Sequence, residues 1–254
     1  MPCLPVAPKA LLHYFQGRLA PGFCGGGSGV YGSNVMHDFA AYRQNMIESQ
    51  IRPNQVTNGA VLSAFADIPR EMFVPDRLKP VAYIDEQVPL GGGRYLVEPM
   101  VTARLVQALD VKPTDKALLV GAATGYAVAI LARLAKEVVA LEVDAALAAQ
   151  AARNLRTLGI GNVTVVQGEL RHGHPSKAPY DVIFCDGAVS ALPPALCNQL
   201  AEGGRLAAVM MGADGAVGSG ILALKIQGTV SDRALFDAVT PLLPGCAPEP
   251  AFSF

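Results

Sequence analysis

The chain has 254 residues, 51% hydrophobic and 16% charged, which is ample material for one large core. A formal net charge of -1 with no Lys/Arg run argues against a nucleic-acid surface, which needs a concentrated positive field. The five cysteines, Cys3, Cys24, Cys185, Cys197 and Cys246, form no C-x-x-C pair that would suggest zinc or redox chemistry, and they fit a reducing cytoplasm.

Residues 1–35 carry Pro2, Pro5, Pro8 and Pro21 and then a Gly/Ser patch from Gly25 to Gly32. They read as a disordered extension or a mis-assigned start, with translation beginning at Met36. The apolar stretch Ala10 to Leu12 is too short for a secretory signal. From 36 to 254 a single domain is expected, with a helical cap and substrate loop up to 99 and a sheet from 100 onward.

Asp38 is a plausible N-cap for a helix whose buried face is Phe39, Tyr42, Met46 and Ile47 and which ends before Pro53. A second short helix starts at Asn58, burying Val61, Leu62 and Phe65. The stretch from Ile68 to Pro99 is rich in Pro and Gly, including Gly91-Gly92-Gly93, and is expected to be mostly loop with short helical turns. After Met100 helices alternate with short apolar strands, the signature of an α/β fold. Strands are predicted at Lys116 to Val120, Glu137 to Glu142, Val163 to Gln167, Asp181 to Cys185 and Arg205 to Met211. Helices are predicted at Thr124 to Leu134, Asp144 to Leu158 and Pro193 to Leu200. The segments Ile221 to Ile226 and Ala234 to Val239 add two further strands at one edge. The uncharged stretch from Ala117 to Ala132 is too short, and too interrupted by Gly121, Thr124 and Gly125, to span a membrane.

In an open parallel sheet the ligand site lies beyond the carboxyl ends of the strands, at the first strand-to-helix loop. That loop is Gly121-Ala122-Ala123-Thr124-Gly125-Tyr126, and Glu142 closes the next strand, where a carboxylate can accept hydrogen bonds from both ribose hydroxyls. A tight turn beside a solvated acid is the plainer alternative. A dinucleotide is the sharper one, but its fingerprint wants glycines where Ala123 and Tyr126 stand. S-adenosylmethionine has no phosphate to approach, so its loop tolerates more side chain.

Upstream, Gln50-Ile51-Arg52, Pro69-Arg70-Glu71-Met72-Phe73-Val74-Pro75, Ala82-Tyr83 and Asp85 form a spaced set with, downstream, Gly121, Gly125-Tyr126, Glu142, Asn162-Val163, Gly168, Ala178-Pro179-Tyr180-Asp181 and Gly203-Gly204-Arg205-Leu206. In order and spacing this set resembles the protein-L-isoaspartate O-methyltransferase family. The resemblance covers roughly residues 40 to 210 as one domain. It implies a Rossmann-like, doubly wound, mostly parallel seven-stranded sheet under a helical N-terminal cap. It also implies methyl transfer from S-adenosylmethionine to the α-carboxylate of isoaspartyl sites in damaged proteins. By position, Gly121, Ala123 and Gly125 would line the methionine end of the cofactor, Glu142 would hold the ribose, and Glu169 would lie beside the adenine. The expected partner is a protein or peptide, met by a cytoplasmic and most simply monomeric enzyme without nucleic acid, membrane or metal.

The chain departs from the family pattern at defined places. Leu119 stands where the family has an acid, and Ala123 replaces the middle glycine of the loop. Val97 replaces the family serine two residues before Pro99 and offers a substrate carboxylate neither donor nor acceptor. In that substrate loop Glu98 would repel a carboxylate, whereas Arg94 could attract one. Asp186, near a strand end, is a candidate general base, which suits an acceptor that must lose a proton, or else an ordinary polar strand end. His172 and His174 flank Gly173 without a third metal ligand at suitable spacing, and Cys185 reads as core.

Overall fold

The computed structural model describes residues 37–212 and 217–248; the expected extension lies outside them. Asp38 caps α1 (Phe39–Met46), its carboxylate accepting from the Ala41 amide at 3.0 Å. The helix widens into a π turn, Ile47–Ile51, and then narrows to a 3-10 turn, Arg52–Asn54, before Gln55 ends it in the left-handed region. Asn58 caps α2 (Gly59–Asp67), accepting from the Ala60 and Val61 amides, and Val61, Leu62 and Phe65 are buried.

The stretch from Ile68 to Pro99 holds more structure than its composition suggests. Two 3-10 turns, Arg70–Phe73 and Asp76–Val81, lead into a hairpin of β1 (Val88–Gly91) and β2 (Arg94–Leu96), and α3 (Pro99–Ala108) follows. Gly91, Gly92 and Gly93 make the hairpin turn, with φ of 100°, 58° and 74°, values that β-carbons resist. Buried side chains supply the order that periodicity does not reveal. Arg70, fully buried, donates through Nε to Ala82 O at 2.6 Å and through Nη2 to Val97 O at 2.9 Å. The Tyr83 hydroxyl accepts from Arg43 Nη1 and the Arg70 amide, each at 3.2 Å, and donates to the Glu71 carboxylate.

The main sheet has seven strands: β3 (Lys116–Val120), β4 (Glu137–Glu142), β5 (Val163–Gln167), β6 (Tyr180–Val189), β7 (Leu200–Met210), β8 (Gly218–Ile226) and β9 (Thr229–Ala238). Their order is β5-β4-β3-β6-β7-β8-β9; the pairs from β5 to β7 are parallel, and β8 is antiparallel to both neighbours. Helices α4 (Tyr126–Leu134), α5 (Ala145–Thr157) and α6 (Pro194–Asn198) connect the parallel strands, so the expected doubly wound fold is present. Alternate residues of each central strand enter different cores. Leu119, Ala140 and Phe184 join the core containing α2, α3 and α4, while Leu118, Val139 and Ile183 join the one containing Leu196 of α6. Burial on both faces explains the uninterrupted apolar runs of these strands.

The predicted limits of β3, β4 and β5 hold. Those of β6 do not: the strand continues to Val189 instead of ending at Cys185. Phe184 pairs with Ala207 and Ala188 with Val209, so Cys185, Asp186 and Gly187 bulge opposite Ala208 and pairing then resumes. Because Leu200 pairs with Tyr180, β7 begins there and α6 stops at Asn198, shorter than predicted. The two edge strands exist and start earlier than predicted, at Gly218 and Thr229. Among the described residues no helix is long and apolar enough to cross a membrane.

Candidate functional site

The loop leaving β3 turns back at once. The Gly121 and Ala122 amides donate to Leu141 O at 2.9 and 3.0 Å, tying the turn to β4. Gly121 has φ 87° and Ala123 φ 47°, so the alanine adopts the left-handed conformation that the family glycine would take without strain. Gly125 has a packing role. A β-carbon there would lie 3.2 Å from Ala151 Cβ, so this glycine lets α5 pack against the start of α4.

Glu142 ends β4 with no exposed surface. Its Oε2 accepts from the Ala123 amide at 2.6 Å, and Oε1 accepts from the Val143 and Asp144 amides at 2.9 and 3.1 Å. The remaining contact comes from β2. Arg94 Nη1 lies 2.5 Å from Glu142 Oε1, and Nη2 donates to Gly121 O at 3.1 Å. Arg94 is therefore buried and paired with the acid expected to hold a ribose.

A second element at this site is barely marked in the sequence. After β9, residues 240–248 run along the end of β6: the Ala188 amide donates to Pro241 O at 3.0 Å, the Leu243 amide to Ala188 O at 2.8 Å, and the Ser190 amide to Cys246 O at 3.1 Å. The Leu243 side chain lies over the glycine loop. A β-carbon on Gly121 would sit 2.6 Å from Leu243 Cδ2 and 3.2 Å from Arg94 Nη2, and one on Gly187 would sit 2.7 Å from Leu243 Cδ2. Farther along, a β-carbon on Gly245 would lie 3.9 Å from Glu169 Oε2. The only hint in the sequence is Pro241, Pro244 and Gly245, which read as loop.

Residues 41–214 match the family model described as protein-L-isoaspartate(D-aspartate) O-methyltransferase. The chain belongs to that family. It is 43% identical over 176 residues to protein-L-isoaspartate O-methyltransferase 1 of Rhodopseudomonas palustris, covering 69% of this chain and 71% of the relative. The Koribacter versatilis protein-L-isoaspartate O-methyltransferase is 44% identical over 168 residues, 66% of this chain and 76% of its own. Two solved structures share the fold. A protein-L-isoaspartate O-methyltransferase has a TM-score of 0.69 at 24% identity, covering 82% of this chain and 66% of its own. A Plasmodium falciparum protein described as a beta-aspartate methyltransferase, solved with S-adenosyl-L-homocysteine, has a TM-score of 0.66 at 20% identity, covering 81% and 97%.

Family motifs upstream of the sheet turn out to be the Arg70 and Tyr83 network. The departures from the family pattern are accommodated individually. Leu119 is wholly buried between Ala140 and Phe184 on the neighbouring strands. Val97 packs into the core and offers only its carbonyl, to Arg70. Glu98, at the start of α3, is partly buried, and its carboxyl is pushed up by desolvation and by Asp85 and Glu86.

Asp186 sits in the β6 bulge, 7% exposed, and its Oδ1 has no hydrogen-bond partner. Burial pushes its carboxyl up to about 7, with Arg94 and Arg70 opposing that rise and Glu142 adding to it. Glu169, the expected adenine neighbour, is exposed and precedes the 3-10 turn Leu170–His172. His172 and His174 flank a turn stapled by Gln199, which donates to His172 O and accepts from the His174 amide, each at 2.8 Å. Among the described residues no group of three or more His, Cys, Asp and Glu could hold a metal. Cys185 is buried, and desolvation drives its thiol well above the ordinary range.

Proposed function

We propose that this chain is an S-adenosylmethionine-dependent carboxyl methyltransferase acting on isoaspartyl sites in proteins. The observation that supports it most is Glu142, fully buried at the end of β4 and bonded to the Ala123 amide of the glycine loop. A buried carboxylate with one oxygen on the loop's Ala123 amide, beside a glycine that leaves no room for a β-carbon, fits a ribose and a methionine chain. In this reading Gly121 and Ala123 line the methionine end, Glu142 takes the ribose and Glu169 the adenine; Gly125 contributes by packing. When bound, S-adenosylmethionine supplies an electrophilic methyl group on a sulfonium.

The acceptor carboxylate is already deprotonated, so the protein's part is to align it and exclude water. Arg70 holds the Val97 carbonyl and thereby fixes the segment entering α3, and the buried, apolar Val97 adds no polar group there. With labelled S-adenosylmethionine and an isoaspartyl peptide, an alkali-labile methyl ester is expected. No ester above the level seen with the matching aspartyl peptide defeats the substrate assignment.

A second reading draws on Asp186, whose buried carboxyl titrates near neutrality and is a plausible base for an acceptor that must lose a proton. If isoaspartyl peptides prove inert, turnover on another acceptor should then fall sharply in Asp186→Asn. Unchanged turnover would remove the base.

A further inference from the structure

We propose that Arg94 and Leu243 form an intramolecular plug in the cofactor site, which the cofactor must displace to enter. The proposal rests on the cofactor reading above. A carboxylate has roughly four acceptor positions, and Glu142 receives Arg94 Nη1 and the amides of Ala123, Val143 and Asp144. Those amides belong to the turns around the acid and stay with it. Arg94 comes from the hairpin, at the end of a flexible side chain, so it is the partner that ribose hydroxyls can replace.

Leu243 blocks the adjoining space. Its Cδ2 lies where a β-carbon on either Gly121 or Gly187 would collide with it, so it occupies the concave side of the glycine loop. It is held there by the hydrogen bond from its own amide to Ala188 O and by the one from the Ala188 amide to Pro241 O. The plug also has an electrostatic logic. A fully buried carboxylate without a counter-charge is costly, and Arg94 provides that charge.

The test uses S-adenosylhomocysteine as probe, calorimetry, and amide hydrogen exchange on the whole chain. A bound state that requires the plug to leave has an apparent affinity reduced by the fraction of time it is closed. Leu243→Ala and Arg94→Gln should each bind about tenfold more tightly than the unaltered protein. In the unaltered protein, added probe should speed exchange of the Leu243 and Ala188 amides, a readout that does not depend on any variant folding. The plug is overturned if the probe binds while these amides keep or gain protection, or if both variants fold and bind no tighter. Absence of binding to all three proteins, each with a cooperative melt, overturns the cofactor reading and the plug with it.

Discussion

Replacing Asp186 by Asn keeps the size of a buried side chain and removes its ability to ionise. The folded carboxyl titrates at about 7, against an ordinary 3.8. For an acid with a raised value, the folded state holds its proton over a range where the unfolded chain has lost it. The resulting stabilisation is complete below about pH 4 and is lost as pH rises through about 7. At about 1.4 kcal/mol per unit, the unaltered protein should lose about 3 kcal/mol relative to Asp186→Asn between pH 5 and pH 8. Arg70, Arg94 and Glu142, which face the carboxyl, are present in both proteins, so the difference isolates Asp186. Urea unfolding followed by far-ultraviolet circular dichroism at pH 5, 6, 7 and 8 measures it. A stability gap that stays constant with pH, or one that turns in favour of the unaltered protein at pH 8, refutes the reasoning.

Glu142→Gln leaves the Arg94 guanidinium buried without its counter-charge and should cost about 3 kcal/mol or more in urea unfolding. Adding Arg94→Met should recover most of that loss, and a merely additive double variant would count against the pair. Ala123→Gly relieves a left-handed alanine but loosens the unfolded chain, so stability should change by less than about 1 kcal/mol, most simply upward. A larger loss would mean that the alanine methyl carries packing. Cys185 should react with a thiol reagent only on unfolding, whereas labelling in the native protein at the rate of an exposed thiol would contradict its burial.

The parallel sheet could be read from the sequence because its central strands β3, β4 and β6 are buried on both faces and therefore carry long apolar runs, as in Val182-Ile183-Phe184. The Asp38, Asn58 and Asp144 caps were equally legible, since a short polar side chain before an amphipathic run performs one local task. The hairpin before α3 was hidden because its ordering comes from Arg70 and Arg94, charged residues whose burial no periodicity announces. The β6 bulge was hidden too, since Asp186 and Gly187 look like a strand end, and pairing resumes beyond them through contacts distant in sequence. At the site, the loop and Glu142 were legible together. Leu243 was not, because a leucine between prolines carries no sign of where its chain will return.

The Tyr83 hydroxyl joins Arg43 of α1, the backbone at Arg70 and the Glu71 carboxylate, while Gln50 Nε2 donates to its carbonyl at 2.9 Å. One phenol thus fastens the first helix to the turn that follows the second. Segments fastened through one shared buried residue detach together, so the helical cap should open as one cooperative unit and not fray helix by helix. Amides in α1 and in the Arg70–Phe73 turn should then share one opening free energy, and Tyr83→Phe should lower it for both, with much less effect on the strands of the sheet.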